Sequence, residues 1–316
     1  MPLSNFSDSG KMTFLLTGAT GFLGKSFGAE LNKNHSVITL GRSAHNDIIC
    51  DLSENIPRFP SGIDCVVHNA GKAHVLPSGE AEAQSFFDVN TTGTLNLLKG
   101  LDLLVVKPKG FIFVSTVAVY GLEEGRSITE DSPLAGNTPY ALSKIQAEKA
   151  ISGWCAKHKV NCVILRLPLV AGKAAPGNLA SMYRAIKKGY YFKITGNEAR
   201  KSMVLDQDIA RLIPGLATQN GVYHLTDDQD PFFGEVEDAI AFGLGKTLRF
   251  SLPIHWVKTL ARVGDFLTKY KIPAPLNSRK LLKITTSLTF SCDKAKREIG
   301  WNPHPVLPFI RSNYKP

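Results

Sequence analysis

Glycines 18, 21 and 24 in Thr17-Gly18-Ala19-Thr20-Gly21-Phe22-Leu23-Gly24 have the spacing that lets a chain turn tightly and bring its backbone close to a pyrophosphate. A helix starting there would offer unpaired N–H groups and partial positive charge to the phosphates. Farther along, Tyr140 and Lys144 stand one helical turn apart in Thr138-Pro139-Tyr140-Ala141-Leu142-Ser143-Lys144. Thr138 suits a helix N-cap and Pro139 its first turn, which puts the phenol and the ammonium on one face. An ammonium near a phenol favours the phenolate, and so does an oxidised nicotinamide. Lowering a tyrosine from about 10 to about 7 takes roughly 4 kcal/mol of differential stabilisation. Such a group can exchange a proton with a sugar hydroxyl or a ketone while hydride moves to or from nicotinamide. Either motif alone is weak; the glycines gain weight from a strand–turn–helix context.

That context is legible. Met12 to Thr17 reads as a strand, Phe22 to Leu31 as a helix, Val37 to Leu40 as a second strand and Cys65 to His68 as a third. Ala81 to Leu98 reads as one long helix, with Phe86, Val89, Leu95, Leu97 and Leu98 for its buried side. Phe111 to Ser115 is a strand, a helix begins near Tyr140, and Cys162 to Leu165 is another strand. Short apolar strands alternating with helices predict an α/β fold, a Rossmann-type doubly wound parallel sheet. After about residue 168 Gly, Pro and aromatics break the rhythm. We therefore divide the chain into a dinucleotide-binding domain over 1–168 and, over 169–316, a smaller C-terminal substrate-binding lobe partly interleaved with it. Within the lobe, Trp256, Leu260, Val263 and Leu267 share one helical face, read as the buried side of a core helix rather than as a membrane-lying face.

The second predicted strand ends in Leu40-Gly41-Arg42-Ser43, where an NAD site usually has an acid about 20 residues after the glycines. A guanidinium and a hydroxyl suit a 2′-phosphate, so NADP is expected, with NAD as the alternative. The 316 residues carry 37 Lys and Arg against 27 Asp and Glu, a formal charge of +10. No run of five basic residues and no basic–aromatic interleaving points to nucleic acid, which leaves phosphorylated small molecules as expected partners. Five scattered cysteines, without a Cys-x-x-Cys pair, argue against a disulfide framework and a zinc site and for a reducing compartment. No apolar run is long enough to span a bilayer, and Met1 to Lys11 lacks the apolar stretch of a signal peptide. The expected location is cytoplasmic.

Together with Ser115-Thr116-Val117-Ala118-Val119-Tyr120-Gly121, these motifs resemble the extended short-chain dehydrogenase/reductases, most closely the NAD-dependent epimerase/dehydratase branch acting on nucleotide-sugars. The resemblance covers nearly the whole chain. It implies Thr116, Tyr140 and Lys144 as the catalytic trio, no metal, and a cofactor site at Gly18, Thr20, Gly21, Phe22, Leu23, Gly24, Arg42 and Ser43. It extends that site to Asp51 and Leu52, which resemble the adenine-contacting pair, and to Asn69, Ala70 and Gly71 in the cofactor-side turn after His68. It adds Asn90 near the active site, Ser115, and Pro168 where Arg166-Leu167-Pro168 passes the nicotinamide. On the substrate side it suggests Asn178 for a diphosphate, and Lys201 where the family has an arginine seven positions before Asp208. Arg279, with Lys280 and Lys283, forms a further basic cluster. The closing segment from Asp293 to Trp301 resembles the family's last helix. Where the family's 4,6-dehydratases have an Asp-Glu pair after the catalytic hydroxyl, this chain has Val117-Ala118, so dehydration is not expected.

The resulting expectation is an enzyme transferring hydride at C4 of a nucleotide-diphosphate sugar. A 4-ketoreductase is the first choice and a 4-epimerase of the UDP-hexose type the alternative. A non-catalytic NADP-binding relative is a third reading, opposed by the intact Thr116, Tyr140 and Lys144. The resemblance also implies a homodimer through the 81–98 and 140–154 helices, and surface-polysaccharide synthesis as the setting.

Overall fold

The computed structural model describes residues 10–73, 77, 79–248, 250–270 and 276–315. Residues 1–9, most of the segment read as lacking an apolar leader, lie outside them. The central sheet is built from β1 (Thr13–Thr17), β2 (Ser36–Gly41), β3 (Ile48–Ile49), β4 (Cys65–His68), β5 (Gly110–Thr116) and the strands Asn161–Leu167 and Gly221–Tyr223. All pairings in it are parallel, in the order Gly221–Tyr223, Asn161–Leu167, β5, β4, β1, β2, β3. The chain leaves β1 in one direction and returns to its other side as β4. The strand order therefore reverses between them, and a ligand crevice opens at their C-terminal ends. The register pairs Thr17 with His68, so the Gly18 loop and the turn after β4 emerge side by side.

Both faces of the sheet are covered. Phe14, Leu16, Val67 and Ile112 pack on one side with Phe27 and Leu31 of α1 (Phe22–Leu31). Leu15, Val66, Phe111 and Phe113 pack on the other, with Leu97 and with Ala147 of the long helix Pro139–His158. Burial on two faces explains why these strands are apolar at successive positions instead of alternating.

The helix expected over 81–98 is interrupted. α2 (Glu80–Phe87) passes through one wide π-turn, Asp88–Thr92, into α3 (Gly93–Asp102). The inserted residue rotates α3 relative to α2, so Phe86, Leu97 and Leu98 are buried as expected, whereas Leu95 is 40% exposed. The long helix Pro139–His158 comes next in the chain as α4. β3 has no counterpart among the predicted strands; it is only two residues long.

Beyond residue 168 come α5 (Gly177–Lys188), α6 (Asp206–Leu212) and α7 (Phe233–Gly243). α5 and α7 share a core with the helix Val306–Asn313. α6 returns to pack against α1, with Ser26 Oγ donating to Asp206 Oδ2 at 2.6 Å. α8 (Ile254–Lys269) and α9 (Ser278–Thr285) close a small core through Val257, Ala261 and Leu281. This corrects the expectation for α8. Its buried seam is Val257, Ala261 and Gly264, and the Trp256, Leu260 and Val263 stripe faces outward.

Candidate active site

The glycine loop has its shape because larger residues would collide. Gly18 is left-handed, with φ of +69°, and a Cβ there would lie 2.8 Å from the Ala70 nitrogen. A Cβ on Gly24 would lie 2.0 Å from the Gly18 carbonyl oxygen, well inside contact distance. α1 starts after Gly21 with no side-chain cap and no acid in its first turn. The first-turn N–H groups, including those of Phe22 and Leu23, have no side chain competing for them, and Thr20 is exposed beside them. This cradle fits the phosphates of a dinucleotide.

Neighbouring groups hold the cradle in place. Thr17 Oγ1 accepts from the Asn69 and Ala70 backbone N–H groups at 3.1 and 3.0 Å, so its own proton is directed to His68 Nδ1 at 2.8 Å. Thr94 Oγ1 donates to the Asn90 carbonyl at 2.6 Å and therefore accepts from His68 Nε2–H at 2.9 Å. His68 is buried and pushed down to about 3, chiefly by burial and then by Lys144, so it stays neutral at physiological pH. Asn69 Nδ2 donates to the Gly18 carbonyl at 3.3 Å.

At the far end of β2, the Arg42 side chain is 79% exposed and stands 3.8 Å from Asp51 Oδ2. Asp51 lies below the usual carboxylate range, mainly because Ser53 hydrogen-bonds it. Ser43 sits in the following turn, its carbonyl accepting from Asn46 Nδ2 at 2.9 Å. Leu52 is buried under α3, and its carbonyl accepts from Asn96 Nδ2 at 2.9 Å.

The proton-handling groups come from two elements. Thr116 ends β5, and α4 starts with Thr138 as N-cap, its hydroxyl accepting from Ala141 N–H at 3.2 Å, and Pro139 in the first turn. The Thr116 hydroxyl accepts from Ala118 N–H at 3.2 Å and stands near the Tyr140 phenol. Burial pushes Tyr140 up, and Thr116 recovers only part of that shift. The expected lowering of Tyr140 by Lys144 is not what the structure shows. Lys144 Nζ donates instead to the Val114 carbonyl at 2.8 Å and lies 4.5 Å from the Phe113 ring centre. It is 5% exposed and pushed down to about 8, chiefly by burial, with Glu148 pulling the other way.

Gly71 joins the two halves of the site: a Cβ there would lie 3.3 Å from Lys144 Nζ and 3.0 Å from Asn90 Oδ1. Asn90 sits in the π-turn, accepting from Lys72 N–H at 2.7 Å and donating to Ser143 Oγ at 2.9 Å. π-turns of this kind recur at functional sites because they re-aim one side chain without ending the helix. Ser115 gives its hydroxyl to Glu148 Oε1 at 2.5 Å, and Pro168 follows Arg166 and Leu167 at the end of the neighbouring strand.

A buried support was missed in the sequence. Arg166 holds Glu148 at 2.8 Å and donates to the Tyr120 hydroxyl at 2.9 Å, and that hydroxyl is 2.6 Å from His224 Nε2. The sequence held two separate signals, Arg166 in the Arg166-Leu167-Pro168 segment and Glu148 one helical turn after Lys144, with nothing to pair them. On the substrate side, Asn178 is exposed in the first turn of α5. Lys201 is half-buried and pushed down to about 8, chiefly by burial, with Glu123 and Lys283 nearby. Arg279 is exposed one turn before Lys283 on α9. Among the described residues no group of three His, Cys, Asp or Glu could hold a metal.

Comparisons with known proteins agree with this architecture. Residues 14–219 match the model of the NAD dependent epimerase/dehydratase family. A UDP-glucose 4-epimerase of Vibrio cholerae is 30% identical over 93% of this chain and 92% of its own length. Among solved structures, RMD from Pseudomonas aeruginosa complexed with NADPH superposes with a TM-score of 0.72 at 20% identity, covering 96% of this chain and 98% of that one. The UDP-N-acetylglucosamine 4-epimerase from Bacillus cereus gives 0.72 at 18% identity, with the same coverages. Both structural likenesses concern the fold. With its glycine cradle, its Tyr140–Lys144 helix and these matches, the chain belongs to the NAD-dependent epimerase/dehydratase family.

Proposed function

We propose that this NAD(P)-dependent enzyme acts at C4 of a nucleotide-diphosphate sugar and that it is a 4-ketoreductase using NADP. The observation carrying the cofactor choice is Arg42, an exposed guanidinium at the end of β2 where an NAD site has an acid. When bound, the nicotinamide supplies hydride. Tyr140 gives its proton to the sugar carbonyl oxygen, and Thr116 hydrogen-bonds the same region. A phenol kept protonated by burial suits that direction, because reducing a ketone consumes a proton. Lys144, whose ammonium is turned to the Val114 carbonyl, would hold the nicotinamide ribose once the cofactor is bound. Val117 and Ala118 transfer no proton, which removes dehydration. On the substrate side, Asn178, Lys201 and Arg279 are the proposed diphosphate contacts. The exposed Leu95 on α3 and Leu142 on α4 support a homodimer through those helices.

A second reading, 4-epimerase, is favoured by the Vibrio cholerae relative. An epimerase must retain its cofactor through oxidation and re-reduction, whereas a reductase exchanges it every cycle. The test incubates the enzyme with 4-keto-sugar nucleotides and NADPH, and separately with UDP-hexoses and no added cofactor. Stoichiometric loss of NADPH is expected. Interconversion of two epimers without cofactor consumption would establish the second reading instead.

A further inference from the structure

α8 is amphipathic twice over. Val257, Ala261 and Gly264 form a seam of small side chains against the lobe, allowing the helix to lie close. A second apolar face points away from the protein: Trp256 is 60% exposed, Leu260 48%, Val263 53% and Phe266 61%. Tyr270 continues it at the helix C-terminus. Isolated exposed apolar residues are ordinary, but a contiguous stripe along a whole helix marks a contact surface.

Charge indicates what it meets. α8 carries Lys258, Arg262 and Lys269 against a single acid, Asp265, whereas on α9 Lys283 already stands 4.0 Å from Glu123. Asp265 is spent within the pair, accepting from the Ser278 backbone N–H at 3.0 Å and its hydroxyl at 2.5 Å. Lys258, Arg262 and Lys269 lie on the flank of α8 next to Phe266, so the helix presents an apolar stripe with a cationic edge, which an anionic lipid surface complements. At sixteen residues, α8 is roughly 24 Å long. No helix among the described residues is long and apolar enough to cross a membrane. A cationic helix with an outward aromatic–aliphatic stripe can lie within a headgroup layer. We propose that α8 seats the enzyme on an anionic phospholipid surface, with Trp256, Leu260, Val263 and Phe266 in the interface and Lys258 and Arg262 at the headgroups. This inference is independent of the C4 chemistry above.

The test uses the full chain and vesicles of phosphatidylcholine, with and without phosphatidylglycerol. Trp256 is a built-in reporter, because Trp154 and Trp301 are buried. Expected are co-sedimentation with the phosphatidylglycerol vesicles only, reversal by high salt, and a blue shift of Trp256 emission. Leu260→Ser and the double variant Lys258→Glu/Arg262→Glu should each weaken binding by about tenfold or more, since each basic residue is worth roughly a fivefold change. Cofactor binding should be unchanged in both, showing that they fold. Absence of vesicle binding, equal binding to phosphatidylcholine alone, or a Trp256 shift that follows protein concentration without vesicles would overturn the proposal, the last identifying a second copy as the occupant.

Discussion

Lys144→Met should stabilise the cofactor-free protein while removing its activity. The ammonium is 5% exposed and titrates at about 8 against an ordinary 10.5, so the folded state disfavours its charge by about 3 kcal/mol. Below about pH 8 lysine is charged in both the folded and unfolded chain, and the cost is present in full. Between about 8 and 10.5 the unfolded chain binds more protons than the folded one, so stability from this group rises with pH and the cost fades. Methionine keeps the unbranched shape and drops the charge. It also loses the bond to the Val114 carbonyl and the Phe113 ring contact, whereas Glu148 retains Arg166 and Ser115. The net gain near pH 7 should be about 2 kcal/mol, a rise in Tm on the order of 5 °C for a chain of this size. Thermal unfolding of both proteins without cofactor, at about pH 7 and about pH 10, reads the difference directly. A variant less stable than wild type near pH 7, or a gap that does not shrink toward pH 10, would refute the reasoning.

Tyr140→Phe keeps the ring against Phe86 and removes only the oxygen. Turnover should fall by about 10² or more with cofactor affinity nearly unchanged, as rate and binding titrations will show. Gly24→Ala forces a carbon to within 2.0 Å of the Gly18 carbonyl. It should cost about 1–3 kcal/mol of stability by denaturant unfolding and weaken NAD and NADP alike. Arg42→Ala should lose roughly 1.5–3 kcal/mol of NADP affinity and little NAD affinity; equal losses in calorimetric titrations would remove Arg42 from the 2′-phosphate site.

Much of the site was readable because its parts are local. The glycine loop, the Thr138 cap and the Tyr140–Lys144 spacing each lie within a few residues, and strands buried on both faces announce themselves as apolar runs. Three features were less legible. The π-turn at Asp88–Thr92 adds one residue to a helix whose apolar pattern still reads as continuous, so only Leu95 reveals it. The Arg166–Glu148 pair joins residues 18 apart on different elements, and nothing in either local segment marks the partner. On α8 the periodicity is helical for two faces at once. The choice between them depends on packing: Val257, Ala261 and Gly264 let the helix approach, while the bulkier stripe remains outside. The phenol of Tyr140 offers a related lesson. Sequence spacing placed Lys144 one turn away, but the direction in which the ammonium points was set by the Val114 carbonyl.

The central claim is that hydride reaches a sugar carbon while Tyr140 supplies the proton. A single-turnover reaction of a 4-keto-sugar nucleotide with NADPH deuterated at its transferring position tests it most directly. The account predicts one deuterium at C4 of the product in wild type, and no labelled product from Tyr140→Phe on the same timescale. Product lacking the label, or equal labelling by the Phe variant, would contradict it.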